Sequence, residues 1–204
     1  MIRSLALATG LALAAPAFAQ SPPEINRATK VLEDGANRFR AIVDSLSDDQ
    51  WNFKGQGVLH SIGEEAEHIA LSENDLQQIV TRALGREPEP GRAAGLSGKE
   101  DEIKKILTDG EKLAENFRPK GKLINKGEVK EFYAAANAKL MRLLNGSKEL
   151  GTHLFEHPNK DFGWLTGLQW FYYIAYHRER HILQIETIRK HPDFPGRVQS
   201  AQAR

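Results

Sequence analysis

The chain has no cysteine among its 204 residues and only two methionines. No disulfide can brace it, no thiol can act as nucleophile, and every cysteine-based metal site is excluded. It also lacks an excess of either charge, with 28 Lys and Arg against 27 Asp and Glu. A near-neutral chain has no electrostatic reason to hold nucleic acid or an anionic membrane. No run alternates apolar and polar residues for long enough to read as a strand. After Ala19 no run is apolar for the roughly 20 residues that a membrane span takes.

What is present begins with a segment to be set aside. Arg3 precedes an apolar stretch from Leu5 to Ala15, Pro16 breaks it, and Ala17-Phe18-Ala19 places small residues where a signal peptidase reads them. Residues 1–19 are read as a secretory signal, with cleavage expected before Gln20. The apolar stretch is too short to remain as a spanning anchor. Cleavage removes Arg3, one of the 28 basic residues, which leaves 27 against 27 acidic ones. The mature protein is expected to be exported, periplasmic or extracellular, with no membrane span and no nucleic-acid partner. One domain is expected over 20–196, followed by a flexible tail over 197–204.

Nearly all of that domain has helical periodicity. Ile25, Ala28, Leu32, Phe39, Ile42, Val43 and Leu46 recur at helix spacing after Ser21-Pro22-Pro23. A loop with Trp51 and Gly55-Gln56-Gly57 follows. Ser61 and Glu64 form a capping box for a second helix, whose apolar stripe runs through Ile62, Ala66, Ile69, Leu76, Val80 and Ala83 to Gly85. Glu87-Pro-Glu-Pro-Gly91 breaks the chain. A polar helix from about Lys99 to Phe117 has a thin apolar side (Ile103, Ile106, Leu113) and reads as an insertion lying on the bundle. A basic loop, 118–126, leads to a third main helix, Gly127 to Gly146. A further loop, Gly151 to Phe162, precedes a last helix from Gly163 to His191. The fold expected is all-α, a four-helix bundle with an extra polar helix between the second and third main helices.

The last helix holds the most informative feature. His177 and His181 are four residues apart, hence about 40° apart around the helix and one turn apart along it. Trp170, Ile174 and Ile188 share their direction. Two imidazoles aimed at a core need polar partners, and a divalent metal suits such a pair. His177-Arg-Glu-Arg-His181 is not the metalloprotease motif, because Arg178 stands where that motif needs Glu. A third ligand should come from a facing helix, and His68 is the best placed. The alternative is ordinary hydrogen-bonded core histidines, which is the stronger reading of His68 taken alone. Glu73 falls in the apolar stripe of the second helix and is the candidate catalytic carboxylate; the alternative for it is a salt bridge to Arg178 or Arg180. Gln184, and Glu65 or Glu73 on the second helix, are candidates to orient the ligand histidines. His153 and His157 read as loop residues, and His60 and His191 as helix-end residues.

Four segments carry a resemblance: Leu46-Ser-Asp-Asp-Gln-Trp51, His60-Ser-Ile-Gly-Glu-Glu-Ala-Glu-His68-Ile-Ala-Leu-Ser-Glu73, His157-Pro-Asn-Lys-Asp-Phe-Gly163 and His177-Arg-Glu-Arg-His181-Ile-Leu-Gln-Ile185. Together they resemble the DinB/YfiT-like superfamily of four-helix bundles. The resemblance implies a divalent metal, whether zinc, nickel or ferrous iron, on His68, His177 and His181. It also implies a small-molecule substrate and allows a homodimer. Family activities include metal-dependent S-transfer with low-molecular-weight thiols, isomerisation and hydrolysis. An exported transferase or hydrolase is one expectation; a non-catalytic metal-binding or stress-associated bundle is the other. Thiols such as bacillithiol or mycothiol are scarce outside the cell membrane, which disfavours the thiol chemistry. His60 stands where the family often has an aromatic residue, usually Trp.

Overall fold

The structure, a computed structural model, describes residues 23–109 and 118–196. The signal segment, the tail after 196 and the second half of the expected polar helix lie outside the described residues. Four long helices dominate: α1 (Pro23–Ser45), α3 (Ile62–Leu84), α6 (Lys126–Gly146) and α7 (Gly167–Arg189). Between them come three short helices, α2 (Asp48–Trp51), α4 (Pro90–Ala93) and α5 (Glu100–Thr108), a 3₁₀ turn at Ala94–Leu96, and two strands, β1 (Leu154–Glu156) and β2 (Trp164–Thr166). No helix among the described residues is long and apolar enough to cross a membrane.

Helices α1 and α3 each pack against both α6 and α7, so α6 and α7 stand diagonally across the bundle. Helix α5 packs on α7 from outside, burying Ile103 and Leu107. This is the inserted polar helix of the sequence reading, ending at Thr108 where Asp109 turns extended rather than running on toward Phe117. Its thin apolar side covers a face of α7 that the bundle leaves open. As a result α7 is enclosed nearly all round, and 16 of its 23 residues are buried. A helix so enclosed has little amphipathic contrast. Its polar residues therefore sit in the interior, where each needs a partner.

Caps set the helix phases. Ser47, Ser61 and Thr166 each close a capping box, with Gln50, Glu64 and Gln169. Asn125 caps α6 by accepting from the Glu128 N–H. The cap predicted at Ser61 and the stop predicted at Gly85 are both observed.

Two expectations are corrected. The loop after α1 contains α2, and the loop before the last helix contains an antiparallel hairpin pairing Leu154 with Thr166 and Glu156 with Trp164. Trp164–Thr166 is thus strand, and α7 begins at Gly167 rather than Gly163. Gly163 itself has φ 58°, a left-handed conformation that suits glycine and ends the hairpin loop.

Candidate metal centre

Helix α7 points His177 and His181 inward because the box at Thr166 fixes its start and the whole run from Gln169 to Arg178 is buried. Helix α3 brings His68 against them from its own capped start. The three rings form a compact group: centroids lie 4.4 Å apart for His68 and His181, 4.7 Å for His177 and His181, and 5.5 Å for His68 and His177. One ring nitrogen from each lies within 4.8 Å of the others. An ion with metal–nitrogen bonds of about 2.0–2.1 Å would draw these atoms together, a movement imidazoles make by rotating about their side-chain torsions.

The environment keeps two of these rings neutral. Burial first, and His181 next, push His68 down to about 3. Burial, followed by His181 and His68, holds His177 well below its ordinary range. A neutral imidazole offers a lone pair, which is the form a metal needs. Nδ1 of His177 is buried with no hydrogen-bond partner among the described residues. Leaving such an atom unsatisfied costs about 1–3 kcal/mol. The donor chemistry, the spacing and this atom together fit a divalent ion.

A carboxylate supports the cluster. Glu65, buried on the first turns of α3, holds Nδ1 of His181 at 2.8 Å through Oε2. Its Oε1 lies 3.3 Å from Nδ1 of His60, which is also buried. Of the three orienting candidates from the sequence, Glu65 occupies that place, whereas Gln184 is half-buried one turn beyond His181 and Glu73 pairs with Arg178. The next carboxylate on α3, Glu67, accepts backbone N–H bonds from Lys120, Gly121, Lys122 and Leu123. It ties the basic loop down beside His68. A cleft of about 50 Å³ opens there, lined by His68, Ser72, Arg118 and Lys120.

Glu73 is placed elsewhere. Both its oxygens accept from Arg178, with Nη2 to Oε2 at 2.9 Å, and both side chains are fully buried. Arg178 also donates to the Leu32 carbonyl at 2.6 Å. The carboxylate expected to be catalytic is therefore half of an ion pair, and the one brought to the histidines is Glu65.

Two histidines lie where the sequence places them, His60 before a helix start and His157 in a loop, and both are buried. His60 joins Glu65, as described. His157 is buried in the hairpin loop, with its ring stacked on Trp170 at 5.0 Å and tilted against Tyr173 at 4.6 Å. Tyr173 in turn stacks on His177 at 6.0 Å. The Asn159 N–H donates to Nδ1 of His157 at 3.0 Å. No spacing rule points to either residue. His153 and His191 remain peripheral, bonded to the carbonyls of Arg86 and Gln56.

The model of the DinB superfamily matches residues 32–185, a span that contains all three clustered histidines. No curated protein and no solved structure matches the chain.

Proposed function

The chain belongs to the DinB superfamily, and on that premise we propose that His68, His177 and His181 hold a divalent metal used in group transfer or hydrolysis on a small molecule. The observation that carries this reading is the convergence of three imidazoles from two helices, two of them kept neutral by burial. Three protein ligands leave coordination positions open, as in catalytic rather than structural sites. When bound, the metal would lower the pKa of a coordinated water or thiol, or polarise a carbonyl. The protein's own part is to keep the imidazoles unprotonated, to orient His181 through Glu65 and to give access through the cleft beside His68. Zinc, nickel and ferrous iron all accept imidazole ligands.

Export is part of the same proposal, supported by the signal-like pattern of residues 1–19. Scarce thiols outside the cell favour water over a thiol as the second reactant. Intact-mass analysis of protein from an exporting host should give a chain starting at Gln20; retention of Met1 to Ala19 would sink this part.

One observation favours a second, non-catalytic reading. The ligands lie on α3 and α7, so one ion would tie two core helices together. The deciding experiment is elemental analysis of untagged protein and of His68→Ala, His177→Ala and His181→Ala. About one metal per chain, lost in each variant, is the expected result. Absence of metal after incubation with zinc, nickel and ferrous iron would overturn both readings. Turnover across a panel of esters, amides and thiol conjugates then separates them.

A further inference from the structure

Glu65 is 3 % exposed, a carboxylate almost wholly removed from water. Two imidazoles share it: Nδ1 of His181 lies 2.8 Å from Oε2, and Nδ1 of His60 lies 3.3 Å from Oε1. A carboxylate in its ionised form only accepts hydrogen bonds, so in that form an imidazole Nδ1 beside it presents its proton to Glu65. In a neutral imidazole the lone pair is then on Nε2. For His181 this is the nitrogen that remains for the cluster.

The string crosses the interface between two helices. His60 directly precedes Ser61, whose capping box fixes the start of α3, and the Glu65 N–H donates to the Ser61 carbonyl at 3.1 Å. His60 and Glu65 are thus held on one rigid helix start, while His181 belongs to α7. A glutamate side chain has three torsions. A contact on one oxygen alone leaves a carboxylate plane free to turn about it. His60, 3.3 Å from Oε1, holds the second oxygen and with it the plane of the carboxylate.

We propose that His60 is a positioning residue for the metal centre, acting through Glu65 to fix the tautomer and ring orientation of His181 so that Nε2 faces the ion. This goes beyond the three-histidine reading and rests on it. Outer groups of this kind typically change metal affinity by about 10–100-fold when removed.

The test uses zinc affinity, by competition with a chromophoric chelator, and the ligand-field spectrum of the cobalt-loaded protein. His60→Phe keeps a flat ring without a donor; His60→Gln keeps an N–H donor without the ring. His60→Phe should weaken zinc about 10–100-fold and shift the cobalt spectrum, and His60→Gln should stay close to the parent in both. Should His60→Phe fail to fold, Glu65→Gln replaces it, since an amide cannot accept from both histidines on its two ends. Parental affinity and spectrum in His60→Phe would overturn the proposal, as would equal damage from His60→Gln. So would a fall in the melting temperature of the metal-free variant with zinc affinity unchanged, which is the mark of a purely structural role. Failure of the parent protein to take up zinc or cobalt would instead remove the metal reading beneath it.

Discussion

Arg178 has no exposed surface, and its guanidinium is answered by both oxygens of Glu73, by the Leu32 carbonyl at 2.6 Å and by Asn137 at 3.4 Å. Gly35 on α1 leaves the room it needs: a Cβ there would sit 3.3 Å from Nη1. Burial pushes the Glu73 carboxyl upward while Arg178 opposes the shift. A buried pair like this adds little net stability against well-packed apolar residues, but loss of one partner strands a charge, at about 3–5 kcal/mol. Glu73→Ala should therefore cost about that much in urea unfolding, and Glu73→Leu with Arg178→Met should recover a good part. A Glu73→Ala protein of parental stability that has lost all turnover would restore a catalytic role instead. The helical wheel placed Glu73 in an apolar stripe and named Arg178 as one alternative partner. It could not decide between chemistry and pairing, because the two residues are 105 positions apart and meet only once α3 and α7 pack. The same limit hid the link from His60 to Glu65 and His181. His177 and His181 were legible because their relation lies within one helix.

Helix starts were legible for the same reason, since a capping box is a local pattern. The hairpin was not. Strands of three residues are too short to show an alternation, and β2 runs straight into the cap of α7. Helix α2 is a single turn whose one buried residue, Trp51, matters through a distant contact. A Cβ on Gly63 would lie 2.5 Å from the indole Nε1 of Trp51 and 2.7 Å from its Cε2. Two effects oppose each other in Gly63→Ala. Alanine is better than glycine in a helix interior by about 1 kcal/mol, and less at the second helical position. Overpacking against a buried, rigid ring costs about 1–3 kcal/mol. The clash should win, lowering the melting temperature by a few degrees at about 2–4 °C per kcal/mol for a protein of this size. Adding Trp51→Leu should relieve the clash, so the glycine effect should shrink or reverse in that background. A higher melting temperature for Gly63→Ala alone would mean that α2 moves aside freely and does not set the position of α3.

Across the whole molecule the histidine cluster joins α3 to α7, and so couples stability to protons and to metal. His68 and His177 are both depressed by burial, His68 to about 3. In the unfolded chain each returns to about 6.5 and takes up its proton there. Below that pH the unfolded state binds more protons than the folded one, so stability rises with pH. The histidine contribution is therefore fully present above about 6.5 and is lost as pH falls from there toward the depressed folded values. Each histidine that protonates only on unfolding adds a slope of at most about 1.4 kcal/mol per pH unit. Chelator-treated protein should lose stability steadily between pH 6.5 and 4.5, and His177→Leu should show a shallower slope over the same window. A flat profile in that window would mean that the rings are not buried neutral. Zinc acts in the opposite direction. At pH 7.5 and a hundredfold excess over Kd it should add about 2.7 kcal/mol, or about 5–11 °C in melting temperature. Because His68 and His177 stay unprotonated in the folded state well below 6.5, a large part of this zinc increment should persist at pH 5.5. At an exposed cluster of ordinary histidines the increment would largely vanish there. Calorimetry with zinc and with chelator at pH 7.5 and 5.5 makes the comparison, and disappearance of the increment at the lower pH would mean that burial does not shield the cluster from protons.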